Sequence, residues 1–106
     1  MYALTKGKAT FIRNEPAVNT SLYLSQNYPN PFNPTTQLRF SIRESGFVQL
    51  TVFDILGREV ARPVNERLAA GQYTVTFNAS GLASGVYFYR LQAGHFVESN
   101  RMLVLK

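Results

Sequence analysis

The side chains best equipped for chemistry in this sequence stand apart from one another. His95 is the only histidine, and it follows Gly94 at an expected turn, where an exposed imidazole is ordinary. A Ser–His–Asp relay would need Asp54 or a glutamate brought to it, and there is no nucleophile elbow. The six carboxylates are scattered, without an aspartate-rich loop of calcium spacing. Cysteine is absent, which removes thiolate metal sites, a cysteine nucleophile and disulfides, and leaves the redox compartment open. Gly81 and Gly85 read as turn glycines, since neither opens a helix after a strand in a βαβ unit. The residues therefore predict no enzyme, no metal site and no cofactor. Asp54 has a more local task, accepting hydrogen bonds from backbone donors in the Ile55–Gly57 turn.

Charge narrows the partners. The chain has 106 residues and a net charge of +5, a balance that can favour nucleic acid or anionic membranes. Here, however, Arg39, Arg43, Arg58, Arg62, Arg67, Arg90 and Arg101 sit singly, mostly between apolar neighbours. That dispersion fits a solvated sheet face and predicts no nucleic-acid partner. No stretch approaches the roughly 20 apolar residues of a membrane helix, so no membrane insertion is expected. Met1 to Lys8 lacks the apolar run of a secretory signal, which would place any such signal upstream.

The elements that carry these residues are strands. Leu38, Phe40 and Ile42 alternate with polar residues, as do Val48, Leu50 and Val52, then Tyr73, Val75 and Phe77. Tyr87, Tyr89 and Leu91 repeat the pattern against Phe88 and Arg90. Period two means one face in a core, so these twelve residues are expected to form it. Turn chemistry separates the runs at Glu44–Gly46, Leu56-Gly57, Ala70-Gly71, Asn78–Gly85 and Ala93-Gly94. Val64–Ala70 could hold one helical turn and nothing longer. Tyr28–Pro34 reads YPNPFNP; its prolines exclude a central strand or helix and predict an extended, turning loop. A cis bond at Pro29 is open to it. Residues 1–21 are polar and turn-rich, expected as a linker or added N-terminal segment in which Thr10–Arg13 could form an edge strand.

Leu82, Gly85 and Tyr87 fit the approach to an immunoglobulin-type strand, where a tyrosine hydroxyl folds back onto the preceding corner. Tyr87 should then be buried with its hydroxyl on backbone near Asn78–Ser84, against the plainer reading of a core tyrosine. Together these signals predict an all-β fold, an immunoglobulin-like antiparallel β-sandwich of about seven strands, over residues 22–106.

Five pieces in order carry a family resemblance: YPNPFNP with Thr35-Thr36; Val48–Asp54 running into Ile55–Val60; Leu68, Ala70-Gly71 and Tyr73; Ser80–Tyr87; and a closing apolar strand. In this order they resemble the type A C-terminal sorting domain of the type IX (Por) secretion system, over about Leu22 to Lys106. Many members carry a lysine where this chain has Arg101, a change from compact ammonium to planar guanidinium. The resemblance implies a folded export address, recognised by the type IX secretion machinery at the outer membrane. It further implies a cargo domain on the N-terminal side, passage through the periplasm, and arrival at the cell surface or outside. A surface sorting protease would remove the domain by cutting in the linker, here within residues 1–21.

Recognition residues are expected at Gly85, Tyr87, Arg101, Leu103, Leu105 and Lys106. Met102–Leu105 should form a last strand that buries alternate residues and offers the others to the machinery, by strand pairing or through exposed side chains and carboxylate. The rival reading is an accessory binding module of a secreted enzyme, holding carbohydrate or a neighbouring domain. Its signature would be an outer aromatic patch of Phe53 and Phe88, with Val86 and Phe47 nearby, unless Phe11, Ile12 or the Pro-rich loop covers it.

Overall fold

Alternating apolar residues can bury one face only by pairing with other strands, and here every long alternating run does so. The computed structural model describes residues 23–106 and the backbone of 9–15. Its strands are β1 (Ala9–Glu15), β2 (Tyr23–Leu24), β3 (Thr35–Ile42), β4 (Gly46–Phe53), β5 (Glu59–Leu68), β6 (Gly71–Asn78), β7 (Gly85–Ala93) and β8 (Phe96–Val104). They form two four-stranded sheets in the orders β1-β6-β3-β2 and β5-β4-β7-β8. All ladders between them are antiparallel. Hairpins join β4 to β5 and β7 to β8, while β3→β4, β5→β6 and β6→β7 change sheet. This is the immunoglobulin-like sandwich that the turn spacing predicts. No helix occurs among the described residues.

Register places the apolar faces opposite one another. Leu38 lies beside Val75 in one sheet, and Leu50 beside Leu91 in the other. All twelve expected core residues are buried. Phe40 and Tyr73, cross-strand partners, stack with centroids 5.3 Å apart, a geometry aromatic pairs favour. Leu24, Phe32, Ala61, Val64, Ala79, Met102 and Val104 complete the core.

The helical turn considered for Val64–Ala70 is not present, because β5 continues through Val64 to Leu68. Pairing with β4 overrides the broken alternation: Leu50 faces Val64 and Val52 faces Ala61, with Arg62 and Pro63 together opposite Thr51. Proline has no N–H to give a ladder, so an edge-strand bulge is where it can sit. Within 1–21, the edge strand considered at Thr10–Arg13 forms as β1 beside β6. Residues 1–8 and 16–22 lie outside the described set, as do the side chains of Phe11 and Ile12.

One half-buried carboxylate is poorly served. Burial pushes the Glu66 carboxyl above its usual range, and its Oε2 has no hydrogen-bond partner among the described residues. A raised carboxyl pKa means ionised Glu66 opposes folding above that pKa and ceases to as pH falls through it. Glu66→Gln should therefore raise the melting temperature slightly at neutral pH. The gain should shrink in acid, and a gain independent of pH would contradict this account.

Candidate functional site

The expected recognition residues gather at one end of the β7–β8 hairpin. Gly85 opens β7 opposite Val104, and Tyr87 faces Met102. Gly85 has φ +151°, which an L side chain rarely adopts, so the turn into β7 selects glycine here. Tyr87 is 7% exposed, and its hydroxyl donates to the Ala83 carbonyl at 2.8 Å. That is the corner expected from the spacing. Tyr73 repeats the device on β6, donating to the carbonyl of Ala69 four residues upstream. Tyr87→Phe should keep the fold and lose about 1–2 kcal/mol, because the Ala83 carbonyl loses its partner. Chemical denaturation measures this; a midpoint equal to the parent would reduce the corner to ring packing.

β8 is an edge strand, and an edge offers unpaired backbone groups. The Pro-rich loop closes the lower half of it. Phe32 N–H donates to the Leu103 carbonyl at 3.1 Å, and Leu105 N–H donates to the Phe32 carbonyl at 3.0 Å. Leu103 N–H donates to Asn30 Oδ1 at 3.0 Å, and Gln26 Nε2 donates to the Arg101 carbonyl at 2.6 Å. Phe32 is buried and meets Phe77 edge to face at 6.5 Å. All three X–Pro bonds of the loop are cis.

What holds the loop is a small buried polar knot. Asn27, itself buried, donates through Nδ2 to Thr36 Oγ1 at 3.0 Å and to the Pro29 carbonyl at 3.1 Å. Thr36 Oγ1 also donates to the Pro29 carbonyl at 2.8 Å. Buried polar groups satisfied in this way fix one arrangement of backbone. Beyond β8, Lys106 N–H donates to Ser84 Oγ at 2.9 Å and Lys106 Nζ to the Ser80 carbonyl at 2.7 Å.

Within this cluster the roles divide by burial. Met102 and Val104 are buried, as alternation in the last strand predicts, while Arg101, Leu105 and Lys106 are exposed and Leu103 is half-buried. Tyr87 and Gly85 shape the surface rather than offer it side chains. A shallow cleft of about 350 Å³ runs between the loop and the hairpin, lined by Asn30, Pro31, Val86, Arg101, Met102 and Leu103. Asn27, Asn30, Phe32, Thr36 and Ser84 were not among the expected site residues. For Asn30 and Phe32 the signal is the proline-rich composition, which marks a loop but not its seat; Thr36 and Ser84 lie in the motif pieces of the resemblance, which do not show what their side chains bond.

The outer face of the same sheet carries the aromatic pair. Phe53 and Phe88 are cross-strand partners; Phe88 is 37% exposed, and the Arg90 guanidinium lies 4.8 Å above the Phe53 ring. Phe47 does not join them, because it sits at the opposite end of β4. The Pro-rich loop reaches Val86 but is absent from the cleft bordering Phe53 and Phe88. Next to this face, the Asp54 carboxylate accepts from Leu56 N–H and Arg58 N–H, each at 2.9 Å, and from Arg58 Nε at 2.8 Å. The Arg58 backbone donor, above all, holds the Asp54 pKa below its usual range. His95 is exposed at its turn, and no cluster of potential metal ligands occurs among the described residues.

Compared with known proteins, the chain matches a family model described as the secretion system C-terminal sorting domain over residues 26–105. A search of curated proteins finds no match.

Proposed function

Since the chain belongs to the secretion-system C-terminal sorting domains, a non-catalytic family of export signals, we propose that it is recognised through the surface where the Pro-rich loop meets the β7–β8 hairpin. Membership implies an N-terminal cargo, interaction with secretion machinery, and export to the cell surface or beyond. The finer reading is that residues 22–106 form the sorting domain and residues 1–21 the linker to the cargo. The domain carries that cargo from the periplasm across the outer membrane by the type IX pathway, and a surface protease then cuts within the linker.

One observation supports the proposed recognition surface above the rest. Segments separated by some seventy residues, Gln26–Phe32 and Arg101–Leu105, meet on one strand edge through four backbone or side-chain hydrogen bonds. Arg101, Leu105 and Lys106 stand exposed there, beside Gly85, Tyr87 and Leu103. None of the three is needed for core packing, and all are accessible at the surface, Lys106 with its ammonium resting on the Ser80 carbonyl.

A reporter with an inner-membrane signal, followed by the 106-residue chain, tests this. It should reach the surface of a host that has the pathway and stay periplasmic when the chain is removed. The triple variant Arg101→Glu, Leu105→Ser, Lys106→Glu should melt near the parent temperature yet be delivered poorly. A parent retained in the periplasm would refute the export reading. Full delivery of the triple variant would move recognition to another surface.

A further inference from the structure

The β4–β5 turn is held far more firmly than its exposed tip requires. Asp54 N–H donates to the Arg58 carbonyl and Gly57 N–H to the Asp54 carbonyl, each at 2.9 Å. The Asp54 carboxylate adds the three bonds described above, and Gly57 takes φ +84° to close the turn. Such turns usually carry polar residues at the tip. Here the tip is Ile55 and Leu56, 68% and 74% exposed. Neither packs in the core, and two large apolar side chains held in water gain nothing for the free domain.

The face behind this tip has matching chemistry. Across β4, β7 and β8 the outward rows are Phe53–Phe88–Arg101, Thr51–Arg90–Ser99 and Gln49–Gln92–Val97. No carboxylate stands in them. Of the nearby acids, Asp54 is engaged by Arg58 and Glu59 by Arg62, Glu98 belongs to the alternate Leu91 row, and neither Arg90 nor Arg101 is paired with an acid among the described residues. A cleft of about 270 Å³, lined by Phe53, Gly57, Phe88, Arg90 and Ser99, joins the turn to the sheet face. Aromatic and arginine side chains with acids depleted are the composition of a protein–protein interface core.

We propose that Ile55 and Leu56 form a rigid apolar prong which, with the Phe53–Phe88–Arg90 face, docks into an apolar pocket rimmed by carboxylates on a protein of the secretion machinery. The inference rests on the export reading above and names the partner's chemistry. The fixed turn removes most of the ordering cost of inserting the prong. The unpaired guanidinium groups set the sign of the partner's rim.

The test uses the same full-chain reporter with Ile55→Ser/Leu56→Ser, with Arg90→Glu, and with Phe47→Ser as a control at the far end of β4. The purified parent and the Ile55→Ser/Leu56→Ser variant are also floated with phosphatidylglycerol vesicles. Both site variants should lose at least about tenfold in surface delivery. Their melting temperatures should stay within about 2–4 °C of the parent, since exposed positions are altered. The Phe47 variant should be delivered normally. If the parent is exported and the site variants are exported equally well, the prong is not a docking element while the export reading stands. A parent that is not exported at all sinks both. Flotation that depends on Ile55 and Leu56 would make the occupant a lipid surface and overturn the protein-pocket proposal.

Discussion

Replacing Phe32 with alanine is expected to cost about 3–5 kcal/mol, the range for removing a buried aromatic side chain. Phe32 is 3% exposed and touches Phe77 edge to face, so its loss opens a cavity between the Pro-rich loop and the core. The consequence is also local. With its anchor gone, the loop should release the β8 edge, and the Phe32 and Leu105 amides should exchange with solvent faster than those of β4 and β7. Urea denaturation gives the first quantity and amide hydrogen exchange the second. Unchanged protection at Leu105 would mean that the backbone bonds, not the ring, hold the loop in place.

Leu50→Ala tests the other half of the molecule. Leu50 is fully buried, with Val64 on one side and Leu91 on the other. Truncation should cost about 2–4 kcal/mol through lost burial and the cavity left behind. A domain of this size has roughly 5–10 kcal/mol to lose, so a large fraction of its stability is at stake. Unlike Phe32→Ala, this change should speed exchange across both sheets, because the central strand β4 contributes to every layer of the core. A loss below about 1 kcal/mol would show that the site collapses around the smaller side chain.

The strand core was legible because period two leaves little choice of face: once Leu38, Phe40 and Ile42 turn inward, Arg39 and Ser41 cannot follow the same direction. β5 was harder. Pro63, Asn65, Glu66 and Arg67 interrupt its alternation, and only pairing with β4 through a bulge shows Val64 as core. The Tyr87 corner could be read from spacing, since its hydroxyl reaches back just four residues. Phe32 and Asn27 could not, because an irregular loop has no period to signal which side chains turn inward. Their partners lie on β3, β6 and β8, and a parallel bridge such as Phe32 to Val104 leaves no local trace. The apolar tip at Ile55 and Leu56 was visible as a turn, but its exposure depends on the Asp54 hydrogen bonds that lift it from the sheet.

The seam between the Pro-rich loop and β8 joins residues 73 positions apart at Asn30 and Leu103, and 75 apart at Gln26 and Arg101. Contacts so distant along the chain form late, since closing a long loop must precede them. During synthesis the loop is made early and has partners on β3 and β6, Thr36 for Asn27 and Phe77 for Phe32, but those on β8 follow only at the end. A product that stops short of β8 can still make the β3–β6 and β4–β5 pairs, but it cannot assemble the seam. The seam is therefore a mark of completeness: a reader of that surface would pass over unfinished chains without inspecting the cargo itself.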